Sequence, residues 1–501
     1  MSELNWDRAS LNSSCSPSGL ASHCSRSVGD TGMLRWPRFD GFRRRFASKT
    51  QLCSRIDVME THNLSMGYAD IVDNLWVSLR VDCVIASADR RCDAQWRPVQ
   101  MPTYGDMIAA MKPEDTFSER AVRFARADVH YSMVVAPDGR FVGADGDGGL
   151  TLTDEISDDL MWRLDGACLQ HAVASVALDL EGPSAACSLA TGGVGAEVDG
   201  VRGPFTVIHG PERLPSEYLD HLREHGWVVL VSVLAPDILD ALQRIAGTDG
   251  YTVRSQDRKR RQLCQGSALA KAAVEPISVW LSRSYMQTDD IRMAHSPGVG
   301  VLTPDDGKRT VQGWHSDYPY HWGINAHGKV PTPSGQTVMG VQRIVCVSEF
   351  TKFHGATAFK LGSHALDHGP PEDWGLAKDA YRPDYRAANG LPYNGPDADI
   401  IEAPAGSMIL FDTRTWHRAG VNRSEKGRAA ILMDMTPAYI VPYADTSEDY
   451  RAFTGSDGYD DLNDREKAEF TRLMVHRFLG PAGPRSVIGT HEALTEQLPR
   501  P

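Results

Sequence analysis

The chain has 501 residues, more than the roughly 100–200 residues of a typical domain, so two domains or one large domain with an extension are expected. It contains 42% hydrophobic and 23% charged residues and no apolar run long enough to cross a bilayer, which excludes a membrane-spanning protein. The formal net charge of −13 opposes nonspecific attraction to phosphate backbones, so nucleic acid is not an expected partner either.

Residues 1–57 are rich in serine and arginine and show no sustained apolar periodicity, which predicts a disordered segment. A transit peptide shares this bias, but the acidic residues within the segment oppose that interpretation. Translation that begins later, at Met59 or Met66, is an alternative.

The nine cysteines are scattered, odd in number and lack a C-x-x-C pair. This pattern favours reduced thiols over a disulfide framework or a zinc site. Together with the absence of a peroxisomal address at the terminal Leu-Pro-Arg-Pro, it predicts a cytoplasmic protein.

Residues 58–205 are expected to form an amino-terminal α+β region whose role is open. The turn sequence Pro137-Asp138-Gly139 lies between two apolar runs and predicts a β-hairpin. The acidic stretch 145–149 resembles the start of a calcium loop but lacks the glycine and glutamate that such a loop requires later, so it predicts a turn.

The sequence predicts one helix in this region and a boundary at its end. An apolar stripe with helical spacing predicts a helix over 154–178. The glycine-rich stretch 191–204 is the best domain boundary, and a new domain is expected to start at 206.

The new domain opens with clear helix and strand signals. Ser216 is the predicted cap of a helix that runs through His225, and Gly226 ends it. A strand follows over 227–233, and Pro236 opens a second helix to about Ala246.

Short strand-like runs separated by Gly/Pro/Asn-rich connections recur at 340–347, 356–361, 407–411 and 428–433. They predict a mixed α/β fold with a β-rich core, in which a double-stranded β-helix, also called a jelly roll or cupin-like double sheet, forms a catalytic domain over 206–445. Residues 446–501 are expected to be a carboxy-terminal helical extension.

The segment Trp314-His315-Ser316-Asp317 places an imidazole and a carboxylate two residues apart. In extended backbone such residues project to the same side, so one cation can take both. His417, which follows a later apolar run, can supply a third donor. Two histidines and one carboxylate form the facial triad that binds Fe(II) and leaves coordination sites open.

A basic residue, Arg428, follows His417 in the sequence. Arg428 lies at the start of a predicted strand, and a buried guanidinium can hold a dicarboxylate through two parallel hydrogen bonds.

Residues about 206–445 resemble the phytanoyl-CoA dioxygenase family of Fe(II)/2-oxoglutarate-dependent oxygenases. The pieces that carry the resemblance occur in order at 218–233, 312–317, 355–364 and 411–428. Two departures stand out: Leu361 replaces the usual proline before Gly-Ser-His, and Ala419 lacks the hydroxyl that several relatives offer to the cosubstrate.

The resemblance implies Fe(II), 2-oxoglutarate and O2 as cofactor and cosubstrates. By this similarity the metal ligands and catalytic residues are His315, Asp317 and His417, and the cosubstrate-binding residues are Arg428, Gln312 and Thr357.

The implied reaction is hydroxylation of a small organic molecule or natural-product intermediate, with release of succinate and CO2. Two alternatives stay open. A cupin-like metal-binding isomerase explains the three ligands but gives Arg428 no particular role. A non-catalytic binding or scaffold protein would use residues 66–205 as its working part.

Overall fold

The structure is a computed structural model that describes residues 119–486 except for 127–128, 146, 166–167, 175, 181–185, 188, 192–193, 196, 253–260, 308–311, 318–336, 367, 372–373, 375–396, 441, 443, 476 and 481–482. Contacts divide the chain into two compact units, Met1–Gln95 and Trp96–Pro501, and every described residue belongs to the second. The segment 1–57, for which the sequence predicts disorder, lies outside the described residues.

The first strand, β1 (Glu119–Arg123), pairs with a distant part of the chain, whereas the strands that follow it form a ten-stranded sheet. The strands of this amino-terminal sheet are β2 (Ser132–Val135), β3 (Phe141–Ala144), β4 (Leu150–Thr153), β5 (Trp162–Asp165), β6 (Cys168–His171), β7 (Ala177–Leu180), β8 (Ala186–Cys187), β9 (Leu189–Thr191), β10 (Val194–Gly195) and β13 (Phe205–His209). A separate two-stranded ribbon consists of β11 (Glu197–Val198) and β12 (Val201–Arg202).

The predicted hairpin and the predicted turn are both confirmed. Strands β2 and β3 pair antiparallel across the Pro-Asp-Gly sequence, and Gly139 adopts φ +90°, which a glycine accepts without steric cost. At the next connection the Asp145 carboxylate accepts hydrogen bonds from the backbone N–H groups of Asp147 and Gly149, at 3.0 and 2.7 Å. The carboxylate is thus satisfied within its own turn.

The predicted helix over 154–178 is wrong. In its place lie a short 3₁₀ helix (Asp158–Leu160) and strands β5 to β7. Leu164, which a helical stripe would bury, is 59% exposed, whereas Trp162 is fully buried by cross-strand packing. In the sequence Gly166 directly follows β5, and a glycine at that position is a hairpin signal that the helical spacing obscured. Over the described part of 119–209 the region is therefore β-structure without an α-helix, rather than α+β.

Among the described residues after 209, the α-helices are α1 (Pro215–His225), α2 (Pro236–Ala246), α3 (Ala268–Ala273), α4 (Pro276–Met286), α5 (Ser447–Thr454), α6 (Asp457–Asp460) and α7 (Asp464–Met474). Further 3₁₀ helices span Gln262–Gln265 and Ser363–Ala365. No helix among the described residues is both long and apolar enough to cross a membrane.

The end of α1 and the whole of α2 agree with the sequence prediction. Gly226 terminates α1 with φ +74°, the left-handed conformation that ends many helices. The cap at Ser216 is wrong, because α1 begins one residue earlier at Pro215, whose fixed φ suits the first helical position. The Ser216 hydroxyl instead donates to Asp158 Oδ2 at 2.6 Å.

Two more sheets follow. The six-stranded sheet contains β14 (Trp227–Leu230), β15 (Ile291–Met293), β16 (Val299–Leu302), β17 (Val341–Cys346), β20 (Met408–Asp412) and β22 (Arg428–Pro437). The four-stranded sheet has the order β1, β19 (Ala398–Glu402), β18 (Ala358–Lys360) and β21 (Trp416–Arg418). A hairpin of β23 (Arg477–Gly480) and β24 (Gly483–Ser486) follows α7.

The two sheets share one apolar core. Buried side chains from both sheets meet in it, including Trp227, Ile344 and Phe411 from the six-stranded sheet and Phe359 and Ile400 from the four-stranded sheet. The chain therefore has a mixed α/β fold with β-rich sheets, as the sequence predicts.

Strand pairing joins the two sides of the predicted boundary at 205/206. Strand β1 lies before the boundary and pairs in parallel with β19, which lies after it. Strand β13 begins at the boundary and pairs with β2, which lies before it. A second core cluster joins Met133 of the amino-terminal sheet to Leu222 of α1 and Phe470 of α7. The division into compact units falls instead at Gln95/Trp96.

The buried histidine of α1 makes stability depend on pH. His221 packs edge-on against Trp227 beside His225, and burial lowers its pKa from 6.5 to about 4, with the neighbouring charges of His225 and Arg213 acting in the same direction. Between pH 6.5 and 4 the unfolded chain thus binds more protons, so the free energy of unfolding falls as the pH falls, by up to about 3 kcal/mol.

We expect His221→Phe to remove this contribution, because phenylalanine keeps a ring against Trp227 and takes up no proton. Urea unfolding at pH 7 and pH 4.5 measures the effect. A pH slope identical to that of the wild type would show that His221 is not its source.

Candidate metal centre

The two histidines are brought together by backbone pairing. The segment 312–317 runs antiparallel to β21, with His315 N–H donating to His417 O at 2.9 Å and His417 N–H donating to His315 O at 2.8 Å. Directly opposite residues of an antiparallel pair face the same side. The two imidazole rings accordingly lie with their centroids 4.2 Å apart.

The carboxylate of Asp317 completes the group. Its backbone N–H donates to Thr413 O at 2.8 Å, which fixes the end of the segment. Asp317 Oδ1 lies 3.9 Å from His315 Nε2, and Oδ2 lies 3.7 Å from His417 Nε2. The three donor atoms lie within 4.8 Å of one another, and all three residues are buried.

Hydrogen bonds set the tautomer of both imidazoles. His315 Nδ1 lies 2.8 Å from Gly313 O, and His417 Nδ1 lies 2.9 Å from Thr415 O. A carbonyl oxygen only accepts, so each Nδ1 carries the proton and each Nε2 keeps its lone pair. Such bonds from the outer nitrogen also hold the ring orientation of metal-binding histidines.

This donor set fits iron. Two neutral imidazoles and one carboxylate, gathered on one side of the site, are the ligands of non-haem Fe(II) oxygenases. The sequence predicts these three residues as metal ligands, and their donor atoms lie close together in the structure.

Arg428 is a buried cation at the first position of β22. It is only 9% exposed, and burial lowers its pKa to about 10, so it remains charged at neutral pH. Its Nη2 donates to Gly355 O at 3.0 Å, and its guanidinium lies 4.5 Å from the centre of the Phe350 ring. Nε is buried and has no hydrogen-bond acceptor among the described residues. Spare donors on a buried cation suit a carboxylate from outside the protein.

The other two predicted residues occupy different environments. Thr357 is buried, between Gly355, which accepts from Arg428, and Phe359, which pairs with His417. Gln312 is exposed, and its carbonyl accepts from Ala419 N–H at 3.1 Å.

The turn between β20 and β21 is a part of the site that the sequence motifs did not indicate. Asp412, fully buried, accepts from Arg414 Nε at 2.9 Å and Nη2 at 2.7 Å, and from the Tyr285 hydroxyl at 3.0 Å. This turn supplies the Thr413 and Thr415 carbonyls that hold Asp317 and His417. The Asp-x-Arg pattern just before His417 was the available signal.

We expect Arg414→Met to lower the free energy of unfolding by about 3–5 kcal/mol, because it leaves the buried Asp412 carboxylate without its cation. Metal affinity should fall by about 10–100-fold as the turn relaxes. Urea unfolding and Co(II) titration measure the two effects.

Arg140→Met is the matched control, because Arg140 bonds Asp138 in the same Asp-x-Arg arrangement in an exposed turn. It should change neither quantity appreciably. Equal effects of the two variants would contradict the assigned role of Arg414.

Comparison with known proteins agrees with this chemistry. The family model described as phytanoyl-CoA dioxygenase matches residues 222–430. The chain is 23% identical to the dioxygenase trt7 of Aspergillus terreus over 47% of its length and 77% of that protein. It is 25% identical to the dioxygenase af480 of Aspergillus fumigatus over 42% of its length and 63% of that protein.

Among solved structures, the epimerase SnoN in complex with Fe3+, alpha ketoglutarate and nogalamycin RO aligns with a TM-score of 0.31 and 16% identity, over 45% of this chain and 84% of that one. Residues 222–430 thus match the phytanoyl-CoA dioxygenase family model, and the protein is an Fe(II)- and 2-oxoglutarate-dependent dioxygenase that uses O2 as its second cosubstrate.

Proposed function

We propose that His315, Asp317 and His417 bind Fe(II), and that the enzyme hydroxylates a small organic molecule. The observation that carries this proposal is the convergence of two Nε2 lone pairs and a carboxylate, within 4.8 Å, in a buried site. When bound, iron and 2-oxoglutarate supply the oxidising chemistry: one oxygen atom of O2 enters a C–H bond, the other enters succinate, and CO2 is released.

The two histidine side chains are oriented for metal binding before a metal is bound. Because each Nδ1 proton is given to a backbone carbonyl, the Nε2 atoms do not have to reorient on binding. Phe359 and Phe411 pack around His417, with ring centroids 6.3 and 5.1 Å from its imidazole. This apolar packing shields the His417 imidazole from water on the side that these rings cover.

Arg428 is the proposed anchor of the distal carboxylate of 2-oxoglutarate. Its bond to Gly355 O fixes the guanidinium and leaves Nε free to donate. A Cβ at Gly420 would lie 2.5 Å from that same carbonyl oxygen, so glycine is needed there. Thr357 and Gln312 are the proposed further contacts of the cosubstrate, through a hydroxyl and an amide.

The two sheets with a shared core are the proposed halves of a double-stranded β-helix within 206–445. The proposed carboxy-terminal extension over 446–501 contains, among its described residues, α5 to α7 and the β23–β24 hairpin, so this part is not entirely helical. A cytoplasmic location stays the prediction of the cysteine pattern, and a small molecule stays the predicted partner.

The test is turnover with isotopically labelled O2. Protein loaded with Fe(II) and 2-oxoglutarate is incubated with a panel of small organic molecules, while succinate and product mass are followed. We expect one labelled oxygen atom in the product for each succinate formed. Succinate formation with an unlabelled, dehydrogenated product would contradict hydroxylation and indicate desaturation.

A further inference from the structure

A buried layer lies behind the metal ligands, on the opposite side of their strands. Successive residues of extended backbone point to opposite faces, so Trp314 and Arg418 point away from the face that carries His315 and His417. Because the two histidines pair directly, Trp314 and Arg418 are also cross-strand neighbours. The Arg418 guanidinium lies 5.4 Å from the centre of the Trp314 ring, in cation–π contact.

Arg418 is neutralised by a residue from far away in the sequence. Its Nη2 donates to Glu119 Oε1 at 2.6 Å, and both side chains are 2% exposed. Its Nη1 donates to Ala419 O at 3.1 Å, so the guanidinium is held at both ends. The other Glu119 oxygen lies 3.5 Å from Arg423 Nη1. Glu119 is thus the buried carboxylate between Arg418, on the strand of His417, and Arg423, which follows that strand.

Glu119 opens β1, which lies well before the family domain at 222–430. The strand is docked beside β19 in parallel register, and Lys352 Nζ donates to the Glu119 carbonyl oxygen at 2.8 Å. At the other end of β1, Arg123 pairs with Glu402 at 2.7 Å. Main-chain pairing with β19 and the Lys352 bond to the Glu119 carbonyl oxygen therefore fix the backbone of Glu119, whereas the Arg123–Glu402 pair lies at the far end of β1.

We propose that Glu119 is a positioning residue of the metal centre, acting through Arg418 and Trp314 on the backbone that carries His417 and His315. The proposal rests on the proposed iron site. It gives the region before residue 206 a role: it supplies the strand and the carboxylate that hold the ligand pair in place. Without the carboxylate, Arg418 is a buried charge without its anion and has to leave the Trp314 ring to reach water.

The experiment compares Glu119→Gln with Glu402→Gln in the full chain. Both change a buried carboxylate of the four-stranded sheet to its isosteric amide, but Glu402 bonds Lys352 N–H and Arg123, not Arg418. Co(II) is the probe: its affinity is measured by titration, and its visible absorption spectrum reports the ligand geometry. Thermal unfolding is recorded for each variant.

We expect Glu119→Gln to weaken Co(II) binding by about 10–100-fold and to alter the Co(II) spectrum, the size of effect typical for an outer partner of a metal ligand. Glu402→Gln should leave affinity and spectrum unchanged, even where it lowers the melting temperature. If Glu119→Gln does not fold, Arg418→Lys, which keeps the charge and loses the second hydrogen bond, takes its place with the same expectation.

Provided that the wild type binds Co(II), two results would overturn the positioning role of Glu119. One is an equal effect of the Glu119 and Glu402 variants on Co(II) binding, and the other is no effect of either variant. Failure of the wild type itself to bind Co(II) at the triad would overturn the iron site, and the positioning role with it. The wild-type titration thus separates the two failures.

Discussion

Replacement of His315 by alanine should abolish metal-dependent turnover of 2-oxoglutarate. The substitution removes one of two nitrogen donors from a buried three-donor site, and no described side chain is placed to substitute for it. The loss of metal affinity should exceed the roughly 10–100-fold typical of losing an outer-shell partner. His417→Ala should behave in the same way, because the two rings are equivalent partners in the same pairing.

Succinate formation and Fe(II) affinity are the measurements. His130→Asn is the control. His130 is also a half-buried histidine whose Nδ1 bonds a backbone carbonyl, that of Gly210, but it lies before the matched residues 222–430. It should retain activity. Full activity of His315→Ala would show that the cluster does not carry the reaction.

Replacement of Arg428 by alanine should weaken 2-oxoglutarate binding while leaving Fe(II) binding intact. Charge-assisted hydrogen bonds contribute about 1.5–3 kcal/mol each, so we expect the Kd for 2-oxoglutarate to rise by about 10–100-fold. Arg428→Lys should fall between the wild type and Arg428→Ala, because lysine restores the charge but not the planar fork.

Calorimetric titration of the metal-loaded protein with 2-oxoglutarate tests this expectation. Lys426→Ala is the matched control, because Lys426 is an exposed cation on the same loop. An unchanged Kd in Arg428→Ala would assign the cosubstrate carboxylate to a different cation.

The candidate metal ligands could be proposed from the sequence because each of the two segments that carry them has a recognisable local pattern. His315 and Asp317 stand at strand spacing, and His417 and Arg428 follow in an order typical of one family. The end of α1 could also be predicted, because Gly226 there adopts a left-handed conformation.

The amino-terminal sheet was harder to predict because its apolar residues also fit a helical stripe. Trp162 and Leu169 are buried by pairing between β5 and β6, and single-sequence periodicity does not report such pairing. The Glu119–Arg418 pair spans 299 residues, and no local pattern links its members. The Asp-x-Arg pattern of Asp412 and Arg414 is present in the sequence. Only the structure shows that the turn built on this pair holds Asp317 and His417.

The most direct test of the account is anaerobic titration of the purified protein with Fe(II) and 2-oxoglutarate, followed by visible absorption. We expect the weak metal-to-ligand charge-transfer band of the iron–2-oxoglutarate chelate to appear, to be absent in His315→Ala and to require more 2-oxoglutarate in Arg428→Ala. A well-folded wild-type protein that shows no such band would contradict the assignment of iron and 2-oxoglutarate to this site.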